Sequence, residues 1–393
     1  MEIQARINKS GNGNSLCGTI IHCLASLVFI KVLFPITLYA REAFLFHDFV
    51  NNPGQGKYNV DCKTIIGLGL IATATSALGA SLVSRFGFRL GLKDEPTSRS
   101  SHNKVTPKGG GIGIVVAFLI TAINLAMPIT FWLPLGILAV LSFRGDQTEI
   151  SPEIRLLLQL ILAGILVFGT RMVGFGNVIT VSIALFTIVF VVGTANFFNF
   201  MDGINGIAGI SGAVGFGLMG FAIIKEHTEM GLLCVFMVLA CLGFLPFNIP
   251  RARVFMGDVG SILLGSVFAD LACMAAHSLL DFISLVSFLF PFYSDELTTM
   301  IVRLFSGENL ARPHRRHLYQ LLANECQIPH WRISIGYGLL QLLIGVNVLW
   351  VKPLGVEVVL AVLSCWFTIF MLFSFYVRNV CSLSGKRGTS GRA

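Results

Sequence analysis

The sequence has few charged residues. Asp, Glu, Lys and Arg make up 12% of its 393 residues, whereas a soluble globular protein contains about 25%. Hydrophobic residues make up 54%, and many of them form runs long enough to cross a bilayer. The shortage of charge excludes a soluble domain and predicts an all-α polytopic membrane protein.

The sequence also lacks a regular cysteine pattern. Its nine cysteines are odd in number, scattered and mostly inside apolar runs. They show neither the spacing of a metal site nor that of a disulfide framework. The formal net charge of +8 is compatible with nucleic-acid binding. In a membrane protein, however, Lys and Arg report mainly on topology, and we expect no nucleic-acid partner.

The apolar runs predict about 11–12 transmembrane helices. The first run, residues 17–40, contains Lys31; it is long and no small-residue cleavage site follows it, so we interpret it as a span and not as a cleaved signal. The run at 130–143 is short for a span. The other predicted spans are 64–84, 110–128, 156–175, 178–195, 209–224, 230–248, 259–277, 279–297, 333–351 and 356–377.

Lys and Arg residues are distributed unevenly between the two sides of these spans. Most of the 28 lie in one set of segments, which includes both termini and the loops near residues 85–108, 144–155, 251–253 and 303–332. The positive-inside rule places this set in the cytoplasm. We therefore expect cytoplasmic termini, an extension at 1–63 with one span and a periplasmic loop, a multi-span domain at 64–377, and a basic cytoplasmic tail at 378–393.

Polar groups are most concentrated in the stretch NFFNFMDGINGIAG, residues 196–209. Asn199, Asp202 and Asn205 bring oxygen atoms to the end of an apolar span. A carboxylate at membrane depth is rarely kept without a partner, so these oxygens suit a hard cation or a polar ligand. The alternative is that the polar residues cap the next helix and the glycines only allow close helix packing.

Three other loops on the predicted cytoplasmic side carry candidate residues. Lys108 and the glycines at 109–111 can offer a cation and backbone N–H groups to a phosphate, or form only a hinge. Asp146 stands in a short loop before a Ser-Pro helix start, where the alternative is a solvated acid. Asp258 stands between glycines before a span, where the alternative is a helix N-cap.

The loop ending in HRRHLYQ, residues 314–320, gathers cationic and hydrogen-bonding side chains. His314, Arg315, Arg316 and His317 suit a di-anion, although a basic cluster beside a membrane also serves topology or lipid contact. With two histidines three positions apart and no cysteine, the cluster is a poor zinc site. Asp270 stands inside a span, and we expect a structural hydrogen bond there.

Together these motifs resemble the polyprenyl-phosphate N-acetylhexosamine-1-phosphate transferases over about residues 64–350. The matching segments are DEPTSRSSHNKVTPKGGG (94–111), Asp146 with the following ISPEIRLLLQ, NFFNFMDGINGIAG (196–209), FMGDVGS (255–261), the Asp295-Thr299-Arg303 spacing and HRRHLYQ (314–320). The last segment looks most like the branch that initiates bacterial O-antigen and related surface glycans.

The resemblance implies a reaction in which polyprenyl (undecaprenyl) phosphate attacks the β-phosphate of a UDP-N-acetylhexosamine, giving polyprenyl-diphosphate-sugar and UMP. It implies a multi-pass protein of the bacterial inner membrane, with Mg²⁺ at the cytoplasmic face, and leaves a homodimer open. The implied roles are catalysis for Asp146, Asp202 and Asp258, Mg²⁺ binding for Asn199 and Asp258, and substrate binding for Lys108, Asn205, Arg303, His314, Arg315 and His317.

The sequence departs from the family pattern at two positions. Gly145 replaces the first of two adjacent aspartates, and Asn205 replaces an aspartate found in many bacterial members. Two alternatives to an active enzyme therefore stay open. One is an inactive relative that binds lipid phosphate. The other is a transporter, which predicts polar groups at mid-depth and an internal repeat.

Overall fold

The computed structural model describes residues 61–97, 100–148, 150–169, 178–309 and 314–389, with side chains described as far as residue 380. The helices are α1 (Cys62–Phe86), α2 (Ile112–Asn124), α3 (Ile129–Gln147), α4 (Pro152–Gly169), α5 (Val178–Phe200), α6 (Ile207–Ile223), α7 (Thr228–Asn248), α8 (Asp258–Ala275), α9 (Leu279–Val286), α10 (Phe290–Phe305), α11 (Leu318–Asn324), α12 (His330–Val351) and α13 (Val356–Thr389). The short segments are 3-10 turns at Gly87–Leu90, Ser287–Leu289 and Lys352–Leu354, and the antiparallel strands β1 (Lys93–Asp94) and β2 (Thr106–Pro107).

The helices confirm an all-α polytopic membrane protein. Within the described ranges, nine helical stretches are long and apolar enough to cross a membrane, and the apolar helices α2 and α6 are shorter. Each span predicted from residue 64 onwards coincides with one of these eleven stretches. The predicted first span at 17–40, with Lys31, lies outside the described residues.

The predicted span at 279–297 is not one straight helix. It consists of α9, a 3-10 turn at Ser287–Leu289 and α10, which continues to Phe305. Pro291 lies in the first turn of α10, where a residue without an N–H group is tolerated but cannot continue a preceding helix. The stretch Leu279–Phe305 is nevertheless long and apolar enough to cross a membrane as a whole. The predicted span is therefore confirmed, although hydropathy did not register the break within it.

Helix α8 is the central element of the bundle. Nearly all of its residues are buried, and it packs against α3 and α5. At Gly265 an added Cβ would lie 2.8 Å from the Cα of Ala195, so only glycine allows α5 to approach this closely. Aromatic rings fill the space beside it, with Phe216 and Phe268 packed edge to face at a centroid distance of 5.8 Å.

Asp270 lies fully buried in α8, and the expected structural hydrogen bond is absent. Neither of its carboxylate oxygens has a hydrogen-bond partner among the described residues. The small cavity beside it is lined mainly by Leu, Val and Ala side chains, which cannot donate, together with Gln159 and Ser266. The protein therefore surrounds this intramembrane carboxyl group chiefly with apolar atoms.

Helix α13 continues past the position at which we predicted the start of a basic tail. The helix runs from Val356 to Thr389, and Arg378 lies within it. The Arg378 guanidinium donates to Thr299 Oγ1 at 3.2 Å and to Ser374 Oγ at 3.2 Å. This arginine therefore connects α13 to α10. The division into three domains stays a prediction.

Candidate active site

The glycine run after β2 lies beside the segment that precedes α8. Phe255 N–H donates to the Pro107 carbonyl at 2.8 Å, Gly110 N–H to the Phe255 carbonyl at 2.9 Å, and Gly111 N–H to the Met256 carbonyl at 2.8 Å. The N–H groups of Gly110 and Gly111 are therefore not open to a phosphate, which was one of our two alternatives for this run. The run packs two segments together instead of forming a hinge.

Two glycine contacts hold the starts of α2 and α8 together. A Cβ added at Gly111 would lie 2.5 Å from the Cα of Gly260. Gly257 has a φ of +76°, and a Cβ there would lie 2.6 Å from both Asp146 Oδ2 and Gly109 N. Because backbone meets backbone at both places, a side chain at either would force the segments apart.

Asp146 lies in the last turn of α3 and caps α8. Its Oδ1 accepts the Asp258 N–H at 3.3 Å and its Oδ2 accepts the Val259 N–H at 3.2 Å. A carboxylate at a helix N-terminus is stabilised by the free N–H groups and by the helix dipole. Lys108 Nζ is 3.8 Å from Asp146 Oδ1. The structure thus brings two predicted site residues together and leaves each carboxylate oxygen capacity for a second donor.

Asp258 and Asn199 both contact residues that our sequence analysis did not single out. Asp258 begins α8 and forms an ion pair with Arg155 of α4. Asn199 Oδ1, at the end of α5, accepts a hydrogen bond from Ser261 Oγ at 2.6 Å. Arg155 and Ser261 stand inside the motifs ISPEIRLLLQ and FMGDVGS, but sequence spacing alone does not indicate these pairings.

The loop between α5 and α6 holds Asp202 and Asn205. Burial, together with the charges of Asp258 and Asp146, raises the pKa of Asp202 well above its usual range. Asn205 is fixed by other segments, since its Nδ2 donates to the Pro250 carbonyl at 3.3 Å. Its own carbonyl accepts from Ser334 Oγ at 2.8 Å. Asp202 therefore lies near Asp146 and Asp258, and we call these three residues the acidic cluster. Asn205 is anchored between α7 and α12.

The donor set around Asp258 fits a hard divalent cation. Its members are carboxylate and amide oxygens, the atoms that Mg²⁺ takes as ligands in proteins. Asp258 and Asn199 lie on adjoining helices, which Ser261 joins. Arg155 neutralises Asp258 in this structure, as a bound cation also would. The residues present thus fit the predicted Mg²⁺ site.

A second buried aspartate, Asp295 of α10, anchors the histidine motif. Its Oδ1 accepts from the Leu318 N–H at 2.7 Å and from Thr299 Oγ1 at 3.3 Å. Its Oδ2 accepts from the Tyr319 N–H at 3.3 Å and from the Tyr337 hydroxyl at 2.7 Å. Four donors fill the capacity of a carboxylate. Asp295 therefore caps α11 and fixes the chain directly after the two histidines.

The two histidines of the motif are neighbours and are uncharged at neutral pH. The His314 and His317 ring centroids are 4.8 Å apart. Burial and the nearby cations lower the pKa of His314 to about 4 and that of His317 to about 3. We had expected cationic or hydrogen-bonding groups here. The imidazoles can act as hydrogen-bond partners or metal ligands, and the positive charge comes from the arginines.

The arginines of this region already have acidic partners. Buried Arg303 Nε is 3.3 Å from Glu308 Oε2, and Arg316 Nη1 is 2.6 Å from Glu308 Oε1. Arg315 Nη2 is 3.2 Å from Glu325 Oε1. An anionic substrate would therefore compete with these carboxylates for the guanidinium groups. Arg303 lies deepest and is the least accessible of the three.

Tyr319 connects the histidine motif with the loop that holds Asp202. Its hydroxyl donates to the Phe200 carbonyl at 2.9 Å, and its ring stacks on His317 at an interplanar angle of 13°. At Gly203 an added Cβ would lie 2.2 Å from the Tyr319 hydroxyl. The acidic cluster and the histidine motif thus adjoin at one end of the bundle.

Comparison with known proteins agrees with the motifs. The family description "Glycosyl transferase family 4" matches residues 128–276. That stretch of the chain is similar to the family. The phospho-N-acetylmuramoyl-pentapeptide-transferase of Staphylococcus saprophyticus is 36% identical over 148 residues, which is 34% of this chain and 45% of that protein. The enzyme of the same name from Staphylococcus aureus is 34% identical over 145 residues, with the same two shares.

The matched region contains only part of the candidate site. Asp146, Asn199, Asp202, Asn205 and Asp258 lie inside residues 128–276, whereas Lys108, Arg303 and the histidine motif lie outside. The chain spans a little under half the length of the curated relatives it matches. The predicted relationship is confirmed, and the roles of the individual residues stay predictions.

Proposed function

We propose that this protein transfers an N-acetylhexosamine-1-phosphate from a UDP-sugar to polyprenyl phosphate, releasing UMP. An oxygen of the lipid phosphate forms a bond to the sugar-bearing β-phosphorus, and the bond from that phosphorus to the oxygen of UMP breaks. The observation that carries the proposal is the cluster at the start of α8, where Asp146, Asp258 and Asn199 meet beside Lys108. Phosphoryl transfer requires this kind of charge neutralisation and alignment.

Lys108 and Asp146 are the candidates for the lipid phosphate. Lys108 supplies a cation that is only partly neutralised at 3.8 Å from Asp146. Asp146 is held rigidly by two backbone N–H groups, so it can orient the attacking phosphate or accept its proton with little movement.

Asp258 and Asn199 would hold Mg²⁺, which would neutralise charge on the diphosphate. Arg155 would then release Asp258 or remain as an additional cation beside it. Asp202 and Asn205 would contact the nucleotide or the amino sugar, and the raised pKa of Asp202 allows its carboxyl group to act as a hydrogen-bond donor. The arginines and neutral histidines of the HRRHLYQ motif would bind the diphosphate of the UDP-sugar and ease the departure of UMP.

The wider assignments follow from the same proposal. The lipid would be undecaprenyl phosphate, the site would face the cytoplasm from a bacterial inner membrane, and the product would initiate a cell-surface glycan. The HRRHLYQ form favours the O-antigen type of pathway over the phospho-N-acetylmuramoyl-pentapeptide transfer for which the Staphylococcus relatives are named. UDP-N-acetylglucosamine is the first donor to test.

The test is transfer of radiolabel from a panel of UDP-N-acetylhexosamines to polyprenyl phosphate by purified protein, with and without Mg²⁺. We expect Mg²⁺-dependent product with one donor and a loss of at least about a hundredfold in Asp258→Asn. Asp281→Asn is the matched control, because Asp281 forms an ion pair with Lys352 away from the cluster. Equal activity of the two variants would refute the role of Asp258.

Gly145 supports a second candidate, an inactive relative that binds lipid phosphate. It stands where the family usually has an aspartate, directly before Asp146. Protein that binds UMP or lipid but forms no product with any donor would favour this candidate. The transporter alternative predicts polar groups at mid-depth, and the candidate residues described above lie at one end of the bundle instead.

A further inference from the structure

Two imidazoles and a carboxylate converge beside α11. Glu296 belongs to α10, whereas His314 and His317 precede α11, and one ligand atom from each lies within 4.8 Å of the others. We infer that Glu296, His314 and His317 bind a divalent transition-metal cation of the Zn²⁺ class. This site uses donors different from the oxygen atoms of Asp258 and Asn199, and it does not depend on the proposed transfer reaction.

The spacing of the donors suits such a cation. His317 Nε2 is 3.5 Å from Glu296 Oε2. Two ligand atoms at about 2.0–2.2 Å from a tetrahedral Zn²⁺ are themselves about 3.4 Å apart. His314 lies close enough to join them through a change of side-chain torsion. Two histidines and one carboxylate form a known set of zinc ligands, with the fourth position left for water or substrate.

Buried atoms without a hydrogen-bond partner also support a metal site in this cluster. Glu296 Oε2 and His314 Nδ1 are buried and have no hydrogen-bond partner within the described part of the chain. Glu296 and His317 are each only 3% exposed. Because buried polar atoms are nearly always satisfied, two such atoms in one cluster require an explanation. A cation shared by their side chains supplies one.

The surroundings of the cluster also favour binding. Asp295 Oδ1 lies 3.9 Å from His317 Nδ1, on the ring edge opposite Glu296. Glu308 offsets the positive charge of Arg303 and Arg316.

We had predicted a poor zinc site here, because the motif contains only two histidines and no cysteine. The third donor, Glu296, comes from another helix and follows directly after Asp295. Since Asp295 fixes α11 to α10, it also fixes Glu296 beside the histidines. The same carboxylate that caps α11 therefore assembles the ligand set.

The experiment is a titration of purified, chelator-treated full-length protein with Co²⁺ and Zn²⁺. Visible absorption would report nitrogen ligation of Co²⁺, and competition with a chromogenic chelator would give the Zn²⁺ affinity. All variants would carry His227→Asn and His277→Asn. These histidines and Glu226 form another group with metal-ligand spacing, in the connections between α6 and α7 and between α8 and α9.

We expect about one equivalent of bound metal, an affinity at least about tenfold lower in Glu296→Gln, and loss of the Co²⁺ spectrum in His317→Asn. Glu325→Gln is the matched control, since Glu325 pairs only with Arg315 among the ion pairs described. It should bind as the parent does.

Absence of saturable binding, or binding unchanged in both Glu296→Gln and His317→Asn, would overturn the inference. Thermal unfolding of each variant would identify misfolded protein, and Glu296→Asp would keep the charge if Glu296→Gln does not fold. Because no substrate is present, a negative result here would leave the transfer reaction standing. Failure of the transfer assay would likewise leave the metal site untouched.

Discussion

Two buried aspartates, Asp146 and Asp295, have the same structural task at two places in the site. Each accepts the first two backbone N–H groups of a helix from a distant segment, α8 for Asp146 and α11 for Asp295. They differ in what else they bind. Asp295 also accepts two hydroxyl groups, whereas the additional neighbour of Asp146 is the Lys108 ammonium.

This difference separates a carboxylate that only anchors a helix, Asp295, from one that keeps acceptor capacity for a reactant, Asp146. A carboxylate offers about four acceptor positions, and the four donors of Asp295 fill them. Asp146 has one N–H partner on each oxygen and keeps room for a substrate proton or a second cation. Both positions are buried, so burial does not distinguish them. The following five predictions test the comparison, in order of decreasing effect on stability.

Asp295→Ala should have the largest effect. It leaves two N–H groups and two hydroxyl groups buried without an acceptor, so we expect a loss of at least about 3 kcal/mol. The apparent Tm in detergent should fall by more than about 5 °C. Asp281→Ala is the control, because it removes a partly exposed ion pair with Lys352. Similar Tm values for the two variants would contradict the anchoring role.

Gly257→Ala should be the next most disruptive. The residue has a φ of +76°, and the new Cβ would lie 2.6 Å from Asp146 Oδ2. We expect a loss of about 1–3 kcal/mol in stability, measured by thermal unfolding. Gly193→Ala is the control, because a Cβ there meets no atom within 4 Å. A Gly257→Ala variant as stable as this control would show that the segments separate easily.

Asp146→Asn should cost only about 1 kcal/mol, since one oxygen remains to accept an N–H group. On the proposed function, the transfer rate should nevertheless fall by about 10²–10⁴-fold, because the variant cannot accept a proton. Asp295→Asn should show the opposite balance, with the larger loss in stability. Measuring Tm and rate for both variants compares the two aspartates directly. If both variants lost stability and rate in the same proportion, Asp146 and Asp295 would not differ in role.

Acidification should destabilise the metal-free protein through the histidines. The pKa values of His314 and His317 are about 4 and about 3 in the folded protein, below the ordinary value of 6.5. The unfolded chain therefore binds more protons as pH falls below about 6.5, and folding is favoured less. Tm should decline from about pH 6.5 towards pH 4, and less steeply in His317→Asn. If Tm fell equally steeply in that variant, protonation of His317 would not be a cause of the acid destabilisation.

Gly145→Asp should have the smallest effect. An added Cβ would meet only the Ile150 Cδ1 atom, at 3.8 Å, so the missing family aspartate has space. We expect the free energy of unfolding to change by no more than about 0.5 kcal/mol, with a correspondingly small shift in Tm. A large loss of stability would mean that this chain has adapted sterically to glycine. The rate of the same variant shows what the second carboxylate contributes.

The helices were predictable because apolar runs of sufficient length mark them directly. The run at 178–195, for instance, corresponds to α5, Val178–Phe200. The convergence of Asp146, Asp202 and Asp258 was also predictable, because Lys and Arg counts placed their loops on one side. What hydropathy could not register was the break at Ser287–Leu289, which depends on local backbone geometry.

The pairings inside the site were not predictable. Asp146 and Asp258 are 112 positions apart, and only the packing of α3 on α8 shows that the first caps the second. Neither of our alternatives for the glycines at 109–111, a phosphate site or a hinge, anticipated that Gly110 and Gly111 donate to carbonyls in a distant segment. Glu296 was overlooked for the same reason, since its histidine neighbours belong to another element.

Arg378 has a consequence for the order in which the molecule is assembled. It donates to Thr299, 79 positions earlier in the chain, and Thr299 in turn donates to Asp295. When the helices enter the membrane one after another during synthesis, α10 and α11 are complete well before α13. The histidine cluster thus acquires its final surroundings only when the last described helix has packed, and a partly inserted chain does not yet contain the finished cluster.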